Sequence, residues 1–417
     1  MNKVKVNLYK LLQCISNAQD LVSPILFNHH QQVAYLSYCL AREIQLPIEQ
    51  QKDIFLASLV HDIGALSINE RLEVIEEEPL HINHHAFISA RLFESFKPLQ
   101  NAAKLIKYHH LPWENGKGLN FKEEEVPYGS HLIHIADRIC ASVKPNSNIL
   151  SQLPQILERI KYNCNTLFDP KLYHGIEKLA RQEYIWLDLV SNNPIHSIDT
   201  GLFDIIELEI DDIIELGLLF SQIIDFRSSF TARHSAGVAK IAECLAQLAG
   251  FSKAECKMML VAGYFHDLGK LAIDNSILEK PSSLTEEEFN LIRSHTYYTY
   301  HLLDTIPQFK LINLWASYHH ERLDGNGYPF HIKGENLSLG SRIMAVSDVF
   351  TAIMEHRPYR KGMTVSQAVK VLRNMVDSGA LDQHVVKLLL ENLPMINELR
   401  EKSQQEAEMR YESFLKS

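Results

Sequence analysis

HSAGVAKIAECLAQL, residues 234–248, carries apolar side chains at Val238, Ile241, Ala242, Leu245 and Leu248. Steps of three and four put these on one stripe of a helix. Much of the chain has this period, and alternating strand patterns are scarce. Thr285 and Glu288 form a capping-box pair ahead of FNLI. Gly269 and Gly325 read as helix stops, and Pro307, Pro329 and Pro358 punctuate connections. The expectation is an all-α protein.

The same tract opens on a histidine, and so does a second one. His234 precedes Val238 and Ala239 as His29 precedes Val33 and Ala34. Working outward, His29 to the His61–Asp62 pair is 32 residues, and His234 to His266–Asp267 is again 32. His85 to His109 and His295 to His319 are both 24, while His109 to Asp137 is 28 against 29 from His319 to Asp348. The step between the His-Asp pair and the third histidine differs, 24 against 29, where a loop can absorb the change. Matched residue types at matched spacings indicate a tandem duplication. The polar, Pro- and Gly-bearing stretch SNNPIHSIDTG, 191–201, marks the break, giving domains 1–197 and 198–417.

At 417 residues the chain can bury two cores. A net charge of −10 argues against tracking polymeric DNA or RNA, which requires a basic face. The six cysteines show no CxxC spacing and read as buried thiols in a reducing cytoplasm. The N-terminal MNKVKVNLYKLLQ lacks the apolar run of a secretion signal, and no window suggests a membrane span. The expected setting is cytoplasmic. The acidic-apolar stretch after residue 201 would suit a helix packed in its own domain or against a second copy in a homodimer, and the charged tail NELREKSQQEAEMRYESFLK reads as a solvated terminal helix.

Each copy offers His, His-Asp, His, His-His and Asp. In the second these are His234, His266, Asp267, His295, His319, His320 and Asp348; in the first, His29, His61, Asp62, His85, His109, His110 and Asp137. Imidazole and carboxylate together suit iron or manganese, and zinc less comfortably. Seven ligands exceed what one ion needs, so two are expected, with Asp267 as the bridge. Ions about 3.5–4 Å apart activate water and clamp both oxygens of an in-line displacement at phosphorus. A lone mid-helix histidine such as His295 is more often hydrogen-bonded than ligating. Asp348 differs: within the apolar RIMAVSDVFTAI, a carboxylate costs several kcal/mol unless paired or on a metal. His30, His81, His84, His131, His134, His301 and His356 lie outside the pattern and read as ordinary histidines.

FTARHS, HDLGK, HHERLDGNGYP, DVF and RPYR, within about residues 225 to 365, resemble the HD-GYP family of bacterial cyclic dinucleotide phosphodiesterases. The resemblance implies a helical bundle with a di- or trinuclear iron or manganese centre that hydrolyses cyclic di-GMP to pGpG or GMP. It places the ligands on the seven residues named, Lys270 on the scissile phosphate, and Arg357 and Arg360 on guanine or phosphate. It also implies the Gly-Tyr-Pro loop as a docking surface for a diguanylate cyclase. Gly325 and Gly327 would permit sharp turns there, while Asp324 would hold the loop or orient a histidine. Two departures matter. Phe230 stands where three-metal members carry Glu, favouring two ions, and Thr351 stands where Asp is common, which bears on guanine recognition. Some relatives with this tandem plan prefer 3′,3′-cyclic GMP-AMP.

The first copy lacks the surroundings. Ala65 replaces the lysine, LPWENGKG replaces the Gly-Tyr-Pro loop, and RICASVKPN follows Asp137 with no RPYR. It reads as a metal-loaded regulatory or structural domain, or else as a second enzyme with a different substrate. Two rivals stand against the phosphodiesterase: a cyclic dinucleotide receptor or scaffold, which the complete ligand set and Lys270 oppose, and a nucleotide monoester phosphohydrolase, which GYP and RPYR oppose.

Overall fold

The chain is seen in a computed structural model that describes residues 5–21, 28–65, 83–144, 147–198, 206–226, 233–280, 282–355 and 361–415. It is all-α, as expected; among the described residues strand is confined to two-residue pieces such as the Asn120–Phe121 pair with Glu124–Glu125. Residues 7–207 and 208–417 belong to separate compact units. No helix among the described residues is long and apolar enough to cross a membrane, and no disulfide joins the described cysteines. Cys14, Cys140 and Cys256 are buried, whereas Cys39, Cys164 and Cys244 are only partly so.

In the second unit the opening tract forms the helix His234–Leu248, with Val238, Ile241, Ala242 and Leu245 buried as its period demands. It packs against Lys253–Phe265, Leu339–Met354 and the terminal helix Leu393–Leu415. Phe265 joins the core between Phe220 and Phe309, at 5.8 and 5.9 Å between ring centres. The capping box on Glu286–Asp304 is present, with Thr285 and Glu288 each holding the other's backbone N–H. In the first unit His29–Glu43 takes the same central place, against Ile48–Ser58, Tyr128–Ala141 and Pro170–Leu179.

Two readings need correction. Gly269 and Gly325 are not helix stops, since the preceding helices already end at Phe265 and Ser317. The terminal helix is not simply solvated: Ile396, Arg400, Gln404 and Ala407 are buried. Its charged composition concealed a face whose polar members are satisfied inside the unit.

Candidate metal centre

Separate elements deliver the second unit's histidines and acids. His234 is the first residue of its helix, His266 and Asp267 follow the end of Lys253–Phe265, and His295 sits within Glu286–Asp304. His319 and His320 follow Lys310–Ser317, and Asp348 lies inside Leu339–Met354. Their donor atoms fall into overlapping sets, each within 4.8 Å: His234, His266 and Asp348; His266, Asp267 and His319; His295, His319 and His320. Asp267 spans them. Its Oδ2 is 3.2 Å from His266 Nε2, and its Oδ1 is 3.3 Å from His295 Nε2 and 4.0 Å from His319 Nε2. Asp348 divides likewise, with Oδ1 3.2 Å from His234 Nε2 and Oδ2 3.7 Å from His320 Nδ1.

Hydrogen bonding fixes which nitrogen faces this cluster. His266, His295 and His319 each place Nδ1 on the carbonyl three residues earlier: Gly263 at 2.7 Å, Ile292 at 2.6 Å and Ala316 at 2.6 Å. A carbonyl only accepts, so Nδ1 carries the proton and Nε2 presents a lone pair. Burial pushes the His295 imidazole down to about 3 and that of His319 well below its usual range, so both are neutral. The same desolvation opposes charge on Asp267, but His266 and Lys270 outweigh it and hold the carboxyl well below the carboxylate range. Neutral imidazoles beside ionised carboxylates are what a divalent ion requires. His266 Nε2 and Asp267 Oδ1 are buried with no hydrogen-bond partner, an arrangement that normally costs about 1–3 kcal/mol per group and that a cation would relieve. The donor set therefore fits a metal.

The supporting groups repeat between the units. Gly269 N–H donates to Thr299 Oγ1 at 2.9 Å, and a Cβ on Gly269 would lie 1.9 Å from the His295 carbonyl oxygen. Gly64 N–H donates to Ser89 Oγ at 2.8 Å, with the His85 carbonyl 2.5 Å from a Cβ there. Thr299 and Ser89 each lie four residues past the third histidine, an offset that could have revealed them. Asp225 and Asp20 each lie nine before the first. Asp225 accepts from Ser235 N–H at 3.1 Å and Oγ–H at 2.9 Å, while Asp20 lies 2.6 Å from His30 Nδ1. Glu355, which meets His234 Nδ1 at 2.9 Å, gave no such signal, because the corresponding place in the first copy is Lys144.

Lys270 pairs with Asp267 Oδ2 at 2.5 Å from a side chain that is 21% exposed. Asp324 serves the loop: it accepts from Asn326 N–H at 2.8 Å and from Arg322, across Gly325 at φ +78°. The buried Glu321, unforeseen, accepts from the N–H groups of Phe330 at 2.7 Å and Ile332 at 3.0 Å. Phe230, Arg357, Arg360, His81 and His356 lie outside the described residues.

The first unit gathers His29, His61, Asp62 and Asp137 into one set and Asp62, His85, His109 and His110 into another. Asp62 again sits between, 3.4 Å from His61 and 3.1 and 3.3 Å from His85 and His109. Burial lowers the His109 imidazole to about 4. Here, however, Arg138 clamps Asp137 Oδ2 at 3.0 and 2.6 Å, and Ala65, in the lysine's place, is buried.

Models of the HD domain family match residues 26–142 and 219–385. The chain is 30% identical over 397 residues to the 3′3′-cGAMP-specific phosphodiesterase 1 of Vibrio cholerae serotype O1, covering 93% of this chain and 92% of that protein. It is 37% identical over 155 residues to the cyclic di-GMP phosphodiesterase response regulator RpfG of Xanthomonas campestris pv. campestris, covering 36% of this chain and 41% of the relative. A crystal structure of a cyclic GMP-AMP specific phosphodiesterase from V. cholerae has a TM-score of 0.63 at 21% identity, covering 94% of this chain and 98% of that one, a likeness of fold.

Proposed function

The chain belongs to the HD-GYP-type cyclic dinucleotide phosphodiesterases with tandem HD domains, and from that premise we propose that its second unit carries out the metal-dependent cleavage. The observation that carries this is the run of three overlapping donor sets, with Asp267 in their midst, one oxygen towards His266 and the other towards His295 and His319. His234, His266, Asp348 and one Asp267 oxygen would hold one ion; His295, His319, His320 and the other oxygen would hold a second. Mixed imidazole and carboxylate donors favour iron or manganese. When bound, the ions supply an activated water and neutralise charge at phosphorus.

The chain's own residues do the rest. Lys270 stands at the rim beside Asp267, where its ammonium can turn to a non-bridging phosphoryl oxygen and stabilise the charge that grows there. The Nδ1–carbonyl bonds lock three imidazoles in orientation. Arg357 and Arg360 take guanine or phosphate by the family pattern. The loop carrying Tyr328 is the face a diguanylate cyclase would meet, and the cytoplasm, where these messengers act, is the setting.

Of the two substrates, 3′3′-cGAMP is favoured over cyclic di-GMP. The relative that spans both units bears the first name, whereas RpfG aligns with about a third of the chain. The first unit, with Ala65 and a clamped Asp137, is proposed as a metal-loaded regulatory or structural domain. Incubating iron- and manganese-loaded protein with 3′3′-cGAMP, cyclic di-GMP and cyclic di-AMP, with metal analysis of the same preparations, tests all of this. Linear dinucleotide from 3′3′-cGAMP first is expected. Metal-loaded protein that leaves all three intact would return the chain to a receptor role.

A further inference from the structure

His234 is held differently from the second unit's other buried histidines in the cluster. His266, His295 and His319 borrow a carbonyl three residues back. His234 is the first residue of its helix and lies 2.9 Å from Glu355, just past the helix that bears Asp348. A carboxylate on the far nitrogen of a ligating imidazole fixes its tautomer and raises its basicity. A carboxylate that is itself buried must be satisfied in turn. Gln404 does this: its Nε2–H donates to Glu355 Oε1, and its Oε1 accepts from Arg400 Nη1 at 2.5 Å. Arg400 also donates to Asn397 Oδ1 and Glu401 Oε1. His234, Glu355, Arg400 and Gln404 are all buried.

We infer that Gln404, on the terminal helix Leu393–Leu415, is a positioning residue for the metal centre, acting on His234 through Glu355. The amide is determined at both ends: its oxygen must face the guanidinium and its nitrogen the carboxylate. The inference rests on the two-ion reading above and assigns Gln404 to the ion that His234 would hold. The His295, His319 and His320 set has no link to this helix among the hydrogen bonds described.

The test is Mn²⁺ titration of the metal-stripped, full-length chain, with near-ultraviolet circular dichroism reporting folding. Gln404→Glu sets two carboxylates against each other, and one Mn²⁺ equivalent should bind about tenfold more weakly or worse, the others unchanged. The exchange Glu355→Gln with Gln404→Glu restores every hydrogen bond, because the amide at 355 accepts from His234 and donates to the carboxylate at 404, which still meets Arg400. That double variant should recover part of the lost affinity, since the amide at 355 still fixes the His234 tautomer though it no longer raises its basicity, and a helix that merely props the fold would not explain the recovery. Unchanged affinity in folded Gln404→Glu, or a folded double variant no tighter than the single one, overturns the inference. Should Gln404→Glu not fold, a folded double variant that binds this Mn²⁺ within about tenfold of wild type supports the inference, and one that has lost that equivalent altogether overturns it. Wild-type protein that takes up no Mn²⁺ defeats the metal reading itself, and this inference with it.

Discussion

Asp267 divides its work between two oxygens, one facing His266 and Lys270 and the other His295 and His319. Asp267→Asn keeps the shape and removes the charge, and elemental analysis should find the second unit's metal gone; full occupancy would deny the bridging role. Lys270→Ala should retain metal yet lose about 10²–10³-fold in single-turnover rate, the effect of deleting one donor to a developing anion. Gly269 has a steric duty, since any Cβ would strike the His295 carbonyl. Gly269→Ala should therefore lower stability by about 1–3 kcal/mol in denaturant titration, as overpacking does. The histidines and aspartates that cluster were legible at this scale because the duplication exposes their spacing. The Gly269 contact was not, because a glycine by itself does not say what passes close to it.

Elements bring these residues together, and the loop from Tyr318 to Ile332 shows what holds one in shape. Glu321 gathers two backbone N–H groups from the far end of the loop, and Asp324 closes the turn at its middle. Glu321→Ala removes the acceptor of both N–H groups, which lie in partly exposed backbone, at about 1 kcal/mol each. Amide exchange at Phe330 and Ile332 should quicken while that of Leu339–Met354 stays slow; unaltered protection would show that packing alone sustains the loop. The helix starts were readable, as with Thr285 and Glu288, because caps are local. The burial of Arg400 and Gln404 was not, because Gln404 is tied to Glu355, 49 positions earlier, and Arg400 to Gln404 in turn.

Across the whole molecule, two copies of one histidine–aspartate pattern have kept their clustered sets and diverged around them. His61→Ala should reduce metal per chain without slowing cyclic dinucleotide hydrolysis, as judged by elemental analysis beside a turnover assay. A collapse in rate with the second unit's metal intact would make the first unit a partner in catalysis. Chelation should lower the melting temperature, because an ion at a hundredfold its dissociation constant adds about 2.7 kcal/mol per site. The helical class, the duplication and the identity of the clustered residues were written in the sequence, for periodicity and spacing survive without coordinates. Folding alone decided how Asp267 and Asp348 share their oxygens, which imidazole nitrogen looks inward, and that a distant terminal helix reaches His234. Those outcomes depend on where remote backbone segments converge, and spacing along a chain carries no direction in space.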